Sequence, residues 1–205
     1  MIKNIIYFHI CCINTWREIY KKLLFCIYAS DLYYSIDEIR CVILGVNYDD
    51  IEFNDPKIKI IFKSPNINLH EHKIMELIYE NCLNEDINIL YIHTKGIKHN
   101  CSPVVIDWIN YLIYFNIFKW KLCLEQLKNY DAVGVNLQNS PVLHFSGNFW
   151  WSKSSNVKNI GKYKEYSYNS PEFYITSNPN GKYIGLWISN TDHYCYLYPP
   201  HLYIK

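Results

Sequence analysis

No stretch of this chain is apolar for long enough to cross a bilayer: Leu112–Phe118 falls far short of the about 20 residues that a spanning helix needs. The apolar run Ile5–Ile13 is interrupted by His9 and lacks a small-residue cleavage site, so neither secretion nor membrane spanning is expected. Charge of one sign is also missing. The formal net charge is +1 and the basic residues are spread along the chain, which leaves out the concentrated positive footprint of a nucleic-acid binder. There is no C-x-x-C pair of the kind that builds zinc or redox sites. The eight cysteines (Cys11, Cys12, Cys26, Cys41, Cys82, Cys101, Cys123 and Cys195) are scattered, several of them inside apolar runs. They read as buried thiols in a reducing, cytoplasmic compartment. No G-x-G-x-x-G or P-loop segment occurs, which weakens the case for a nucleotidyltransferase. Linkers, repeats and low-complexity tracts are absent as well, so residues 1–205 are expected to form one domain.

What is present suits a packed interior. Half of the residues are apolar and 19% are charged, against a disordered protein's composition. Twenty Tyr, six Trp and nine Phe serve cores, interfaces and sugar-stacking surfaces equally well, and the Ile-, Asn-, Lys- and Tyr-rich composition of an AT-rich genome accounts for much of the tyrosine. Ile5–Ile10 reads as a strand. Thr15 and Glu18 form a capping box that opens a helix over Trp16–Ala29, and Arg40–Gly45 follows as a second strand after a polar turn around Asp31–Asp37. Lys57–Phe62 is predicted as a strand, Leu69–Leu83 as a helix, and Ile87–Ile92 as a buried strand. Ser102-Pro103 opens a long helix to about Leu127, and Asp131–Asn136 is another short strand. This alternation predicts an α/β fold with a mostly parallel central sheet flanked by helices. Beyond residue 140 the pattern loosens into aromatic and polar segments.

Open parallel sheets bind ligands beyond the carboxyl ends of their strands, here the loops after Ile10, Gly45, Ile92 and Asn136. Tyr91–Gly96 (YIHTKG) puts His93, Thr94 and Lys95 at such an end, with Gly96 free to turn sharply. Lys95 is placed to meet a diphosphate as a point charge, and His93 and backbone N–H groups to bond a leaving group; a polar turn with one solvated lysine is the competing reading. His144–Trp151 (HFSGNFWW) sets Ser146, Gly147 and Asn148 beside the paired rings of Trp150 and Trp151. Such a mixture suits a sugar, whose faces stack on rings and whose hydroxyls need close partners, and it makes His144 a candidate too. A core strand with Phe145, Phe149 and Trp151 alternating is the competing reading. Ser170-Pro-Glu172 reads as an N-cap and helix start, favoured by the helix dipole, and Glu172 is also a source for a base that takes an acceptor proton. Asp107, beside Trp108 in a first helical turn, and Asp131 are its rivals. His70 and His72, two apart, diverge on a helix and argue against a zinc pair. His193 and His201 are candidates for a metal ligand or for closing over a diphosphate, with surface histidine as the plain alternative.

At YIHTKG and HFSGNFWW the chain resembles a family of small GT-A-type glycosyltransferase domains known from large DNA viruses of algae and amoebae and from bacterial polysaccharide clusters. The supporting order is FHICCIN, TWREIYKKLL, a Trp-containing helix, the Tyr130–Asn136 strand and a Pro-Glu helix start, and the likeness covers roughly residues 4–175. The resemblance implies a GT-A fold with a nucleotide-sugar half over about residues 1–100 and an acceptor half over about 101–205. It implies hexosyl or deoxyhexosyl transfer from a nucleotide-diphosphate donor to a hydroxyl of a glycan or glycoconjugate, by direct displacement, with Glu172 or Asp107 as base. A viral chain of this kind would act in the host cytoplasm. His9 and Asn14 would approach the nucleotide, His93 to Gly96 the diphosphate, and Ser146 to Trp151 the sugar. Many GT-A enzymes carry an Asp-x-Asp metal motif where this chain has His-Thr-Lys, so Lys95 would neutralise the leaving group without Mn²⁺ or Mg²⁺, or Asp49 and Asp50 would touch the nucleotide or hold a metal. A non-catalytic carbohydrate-binding module derived from such a domain is the alternative.

Overall fold

A computed structural model describes residues 2–45, 51, 53–99 and 102–204. The first strand, β1 (Lys3–Cys11), is an inner strand of a seven-stranded sheet, and all of Ile5–Ile10 is buried on one face or the other. It is followed by α1 (Trp16–Ala29), a four-residue helix α2 (Leu32–Ser35) inside the expected polar turn, β2 (Glu38–Leu44) and β3 (Ile58–Ser64). A 3₁₀ turn (Ile67–Leu69) leads into α3 (His72–Asn84), then β4 (Ile87–His93), a second 3₁₀ turn (Ile97–His99) and α4 (Pro103–Ile113). After a π-helical segment (Tyr114–Phe118) come α5 (Trp120–Gln126), β5 (Ala132–Gly134), β6 (Leu137–Gln138), β7 (His144–Phe145) and β8 (Trp150–Lys153). The chain continues through α6 (Ser154–Ile160), α7 (Ser170–Tyr174), β9 (Tyr183–Gly185) and a 3₁₀ turn (Pro200–Leu202).

The sheet order is β3-β2-β1-β4-β8-β5-β9, with β6 and β7 as a separate pair. Its pairings are parallel except at β8, which runs antiparallel to both β4 and β5. One face buries Ile6, Phe8 and Ile10 under α1 and α4; the other buries Ile5, Tyr7 and Val42 under α3 and α6. Among the described residues no helix is long and apolar enough to cross a membrane.

Local readings needed correction in four places. Thr15 precedes α1 as expected, but its side chain makes no capping hydrogen bond; the turn is closed instead by the Glu18 N–H donating to the Thr15 carbonyl at 3.1 Å. The long helix over 103–127 is interrupted by the π segment, where the Lys119 N–H reaches back five residues to the Tyr114 carbonyl at 3.0 Å. The extra residue turns the Asn116 carbonyl toward β8, where it accepts the Trp151 indole N–H at 2.9 Å. Helix α7 is preceded by Asn169, and Ser170, its first residue, gives its hydroxyl to the Glu165 and Ser167 carbonyls. Among the described cysteines, all free, Cys12, Cys26, Cys41, Cys82 and Cys123 are buried as expected, while Cys195 is exposed.

Candidate functional site

The connection from β1 leaves toward β2 on one side, whereas α3 carries the chain back across to β4 on the other. This divergence opens a crevice at the carboxyl ends of β1 and β4, the position where open α/β sheets bind ligands. A cavity of about 280 Å³ lies there. It is walled by the ends of both strands, the residues before α3, one side of α4, Glu172 of α7, and the loops carrying Asn148, Tyr168 and Tyr194.

Backbone pairing assembles its floor. His9 and His93 are register partners, the Thr94 N–H donates to the His9 carbonyl, and the Cys11 N–H donates to Thr94 Oγ1, both at 3.0 Å. Thr94 therefore ties the two strand ends together and is buried beneath the cavity. Gly96 follows with φ +80°, and a Cβ there would stand 2.1 Å from Val105 Cγ1, so the turn requires glycine.

Four ionisable side chains converge above that floor. Glu71, the residue before α3, accepts at Oε2 from the Tyr91 hydroxyl (2.5 Å) and from Asn148 Nδ2 (2.7 Å). Its Oε1 lies 3.7 Å from His93 Nδ1. Burial favours the neutral carboxyl of Glu71, but His93, His9, the Tyr91 hydroxyl and Lys95 outweigh it and hold the group below the usual carboxylate range. His93 turns its other nitrogen, Nε2, to the Gly147 carbonyl at 3.2 Å. Burial lowers its pKa, with Glu71 pulling the other way. Burial likewise lowers Lys95, opposed by Glu172 and Glu71, and its ammonium sits 3.6 Å from the centroid of the Trp108 ring. Among the described residues this ammonium has no carboxylate within ion-pair distance. Glu172 Oε1 accepts the Gly147 N–H at 2.7 Å. His9 is pushed down to about 4, chiefly by burial, and its Nε2 has no hydrogen-bond partner among the described residues.

The Gly147 loop thus contributes backbone where side-chain contact with a sugar was expected. Gly147 has φ +98°, and a Cβ would meet Leu112 Cδ1 at 2.9 Å, so only glycine lets both its N–H and its carbonyl face the site. Asn148 lines the cavity, oriented by the Trp150 indole N–H, which donates to its Oδ1 at 2.9 Å and so directs Nδ2 at Glu71.

Of the residues singled out from the sequence, His9, His93, Thr94, Lys95, Gly96, Asn148 and Glu172 meet in this cavity. Others do not. Trp150 and Trp151 are fully buried in the core, because β8 is an inner strand covered on both faces, and they offer no stacking surface. His144 is buried, edge-on to Phe173 and hydrogen-bonded to the Val142 carbonyl; Ser146 lies outside the walls and gives its N–H to the Asn136 carbonyl. Asn14, in the loop after β1, donates to the Ile97 carbonyl at 2.9 Å and so links that loop to the turn after β4. Asp107 is on α4 away from the cavity walls, close enough to Tyr203 for its charge to be felt there. Asp131 pairs with Lys153 at 3.1 Å. His193 stacks on Trp108 behind the wall, and His201 is exposed. Asp49 and Asp50 lie outside the described residues. Among the described residues no three His, Cys, Asp or Glu side chains are grouped so that they could hold a cation.

Sequence reasoning missed Glu71, Trp108, Lys98, Tyr168 and Tyr194, all of which line the cavity. Tyr168 and Tyr194 stand at the mouth, 63% and 66% exposed, and Lys98 donates to the Tyr168 hydroxyl at 3.1 Å. The available signal for Glu71 was topological: it immediately precedes a helix that follows a parallel strand, hence lies at the ligand end of the sheet.

Comparison with known proteins gives a family-model match over residues 47–194, to a family described as a domain of unknown function, DUF8361. No curated protein matches the chain. Among solved structures, 4-diphosphocytidyl-2C-methyl-D-erythritol synthase of Anaerococcus prevotii DSM 20548 is similar with a TM-score of 0.46 and 14% identity, covering 92% of this chain and 90% of that one. The Mycobacterium sp. strain JC1 homologue of Mycobacterium tuberculosis rv0371c is similar with a TM-score of 0.43 and 7% identity, covering 89% and 85%.

Proposed function

The chain belongs to the DUF8361 family, and from its own cavity we propose that it is a GT-A-like glycosyltransferase, moving a sugar from a nucleotide-diphosphate donor to the hydroxyl of a glycan or glycoconjugate. The observation that carries this reading is the convergence of Lys95, His93, Glu71 and Glu172 in one cavity at the ligand end of the sheet. Transfer from a diphosphate needs a cation where negative charge accumulates on the leaving group and a base where the acceptor loses its proton. Lys95 supplies the first without a metal. The two glutamates and His93 supply candidates for the second. In the transfer the acceptor oxygen bonds to the anomeric carbon, the bond from that carbon to the diphosphate breaks, and the electron pair leaves with the diphosphate.

The cavity volume lies just below the about 300–1,000 Å³ usual for ligand pockets, which suits the sugar and its reacting bond better than a whole nucleotide. The exposed rings of Tyr168 and Tyr194 at the mouth offer stacking faces in place of the buried tryptophans. A purely carbohydrate-binding module would have no use for a desolvated lysine facing two carboxylates.

The test is thermal stabilisation by UDP-, GDP-, dTDP- and CMP-sugars, each with and without Mn²⁺. The expected result is a shift with one diphosphate class that does not require the metal, followed by release of nucleoside diphosphate on incubation. A shift with free glycans and none with any donor would establish the binding module instead, and a shift with CMP-sugars alone would remove the diphosphate.

A further inference from the structure

We infer that His93 Nδ1 is the proton acceptor of this site and Glu71 the carboxylate that offsets its new charge, with Glu172 anchoring the Gly147 loop that orients the ring. The inference rests on the transferase reading above and assigns the base within it. The tautomer follows from elementary chemistry. A carbonyl oxygen only accepts, so the contact of His93 Nε2 with the Gly147 carbonyl places the ring's N–H on Nε2. In the neutral ring the lone pair then belongs to Nδ1, which faces Glu71 Oε1.

Two acceptors cannot bond each other, and their separation of 3.7 Å exceeds a hydrogen bond. Glu71 Oε2 is already occupied by Tyr91 and Asn148, so Oε1 is the oxygen that addresses the imidazole. A hydroxyl entering the cavity beside this pair finds two acceptors and no competing donor between them. As its oxygen bonds to the anomeric carbon, its proton passes to Nδ1, and the resulting imidazolium lies against the Glu71 carboxylate, which offsets the new charge. The diphosphate departs with the electron pair toward Lys95.

Glu172 is placed differently. Its Oε1 is taken by the Gly147 N–H, and the same glycine offers its carbonyl to His93, so Glu172 orients His93 through the backbone. The charged or titratable groups facing His93 are Glu71 before α3, His9 on β1, Lys95 beyond β4 and Glu172 on α7. Burial keeps His93 below the ordinary histidine value, hence neutral and ready to accept at pH 7. Glu71 and Glu172 raise it and Lys95 lowers it.

The experiment uses the full chain and the nucleotide sugar that most stabilises the wild type, reading donor binding by thermal shift and turnover by release of nucleoside diphosphate. His93→Gln, whose amide can keep the bond to Gly147, is expected to bind donor as the wild type does and to lose roughly 100-fold or more in kcat. In His93→Ala, added imidazole is expected to restore part of the turnover, which a structural role would not allow. Glu71→Gln keeps an acceptor for Tyr91 and Asn148; its kcat falls, and the acid limb of its pH profile moves to lower pH because the main group raising His93 is gone. Lys95→Met is expected to move that limb upward. If donor binds but His93→Gln turns over within tenfold of the wild type, or Glu172→Gln loses more than His93→Gln, the assignment is overturned and the transferase reading stands. If no donor binds the wild type, both fall.

Discussion

Helix α3 is flanked by a glutamate at each end, and the two carboxylates sit in opposite electrostatic settings. Glu85, just past the carboxyl end, receives both terminal nitrogens of Arg40 at 2.8 Å each, while Arg40 also donates to Glu38 (2.8 Å) and to the Tyr7 hydroxyl (2.9 Å). A carboxylate at that helix end is disfavoured by the dipole, and the bidentate arginine offsets it. Glu71, at the other end, is favoured by the dipole, yet its positive neighbours are incomplete: a neutral imidazole at 3.7 Å and a lysine paired with no carboxylate among the described residues. The amino-terminal edge of the sheet closes its charges upon themselves, and the carboxyl-terminal edge leaves them addressed to a cavity. The first arrangement serves stability; on the function proposed above, the second serves a ligand.

The largest effect that would test this contrast is acid sensitivity at the cavity edge. His9 titrates at about 4 in the fold against 6.5 when unfolded. Above pH 6.5 it is neutral in both states; as pH falls toward 4 the unfolded chain takes the proton and the fold does not. Stability should therefore drop by about 3 kcal/mol over that window on account of His9. Urea midpoints at pH 7 and pH 4 read this, and His9→Asn should flatten the profile; an unchanged slope would show that the cavity edge bears no such cost. Next comes Arg40→Met, expected to cost about 2 kcal/mol, below the usual loss for breaking a buried pair because Glu38 and Glu85 keep 32% and 30% of their side chains in water. Donor binding should be untouched. The smallest effect sharpens the comparison: Glu71→Gln should change stability by less than about 1 kcal/mol, since its hydrogen bonds are retained while function falls. A loss equal to that of Arg40→Met would make Glu71 another structural charge and erase the distinction between the two edges.

Much of the parallel half was legible in the sequence because its strands are short apolar runs separated by amphipathic helices. The helix expected over about Trp16 to Ala29 is α1, and the expected strands overlap β1 to β5. The loops after Ile10 and Ile92 do line the cavity, for the topological reason that β1 and β4 are neighbours whose connections diverge. The tryptophans misled because alternation distinguishes inside from outside only when one face of a strand is wet. In β8 both faces are covered, so Trp150 and Trp151 are equally buried despite pointing opposite ways. Glu71 was invisible for a different reason. Its partners Tyr91, His93 and Asn148 are 20 to 77 residues distant, and only the packing of α3 against the sheet brings them together.

The tie between β1 and β4 also bears on how the protein comes into being. The Cys11 to Thr94 bond spans 83 positions, with β2, β3 and α3 in the intervening chain. Contacts so distant along the sequence form late, after a long loop has been closed against its entropy. His9 and His93 become neighbours only when that loop has closed, so a chain in which β1 has not met β4 has no cavity.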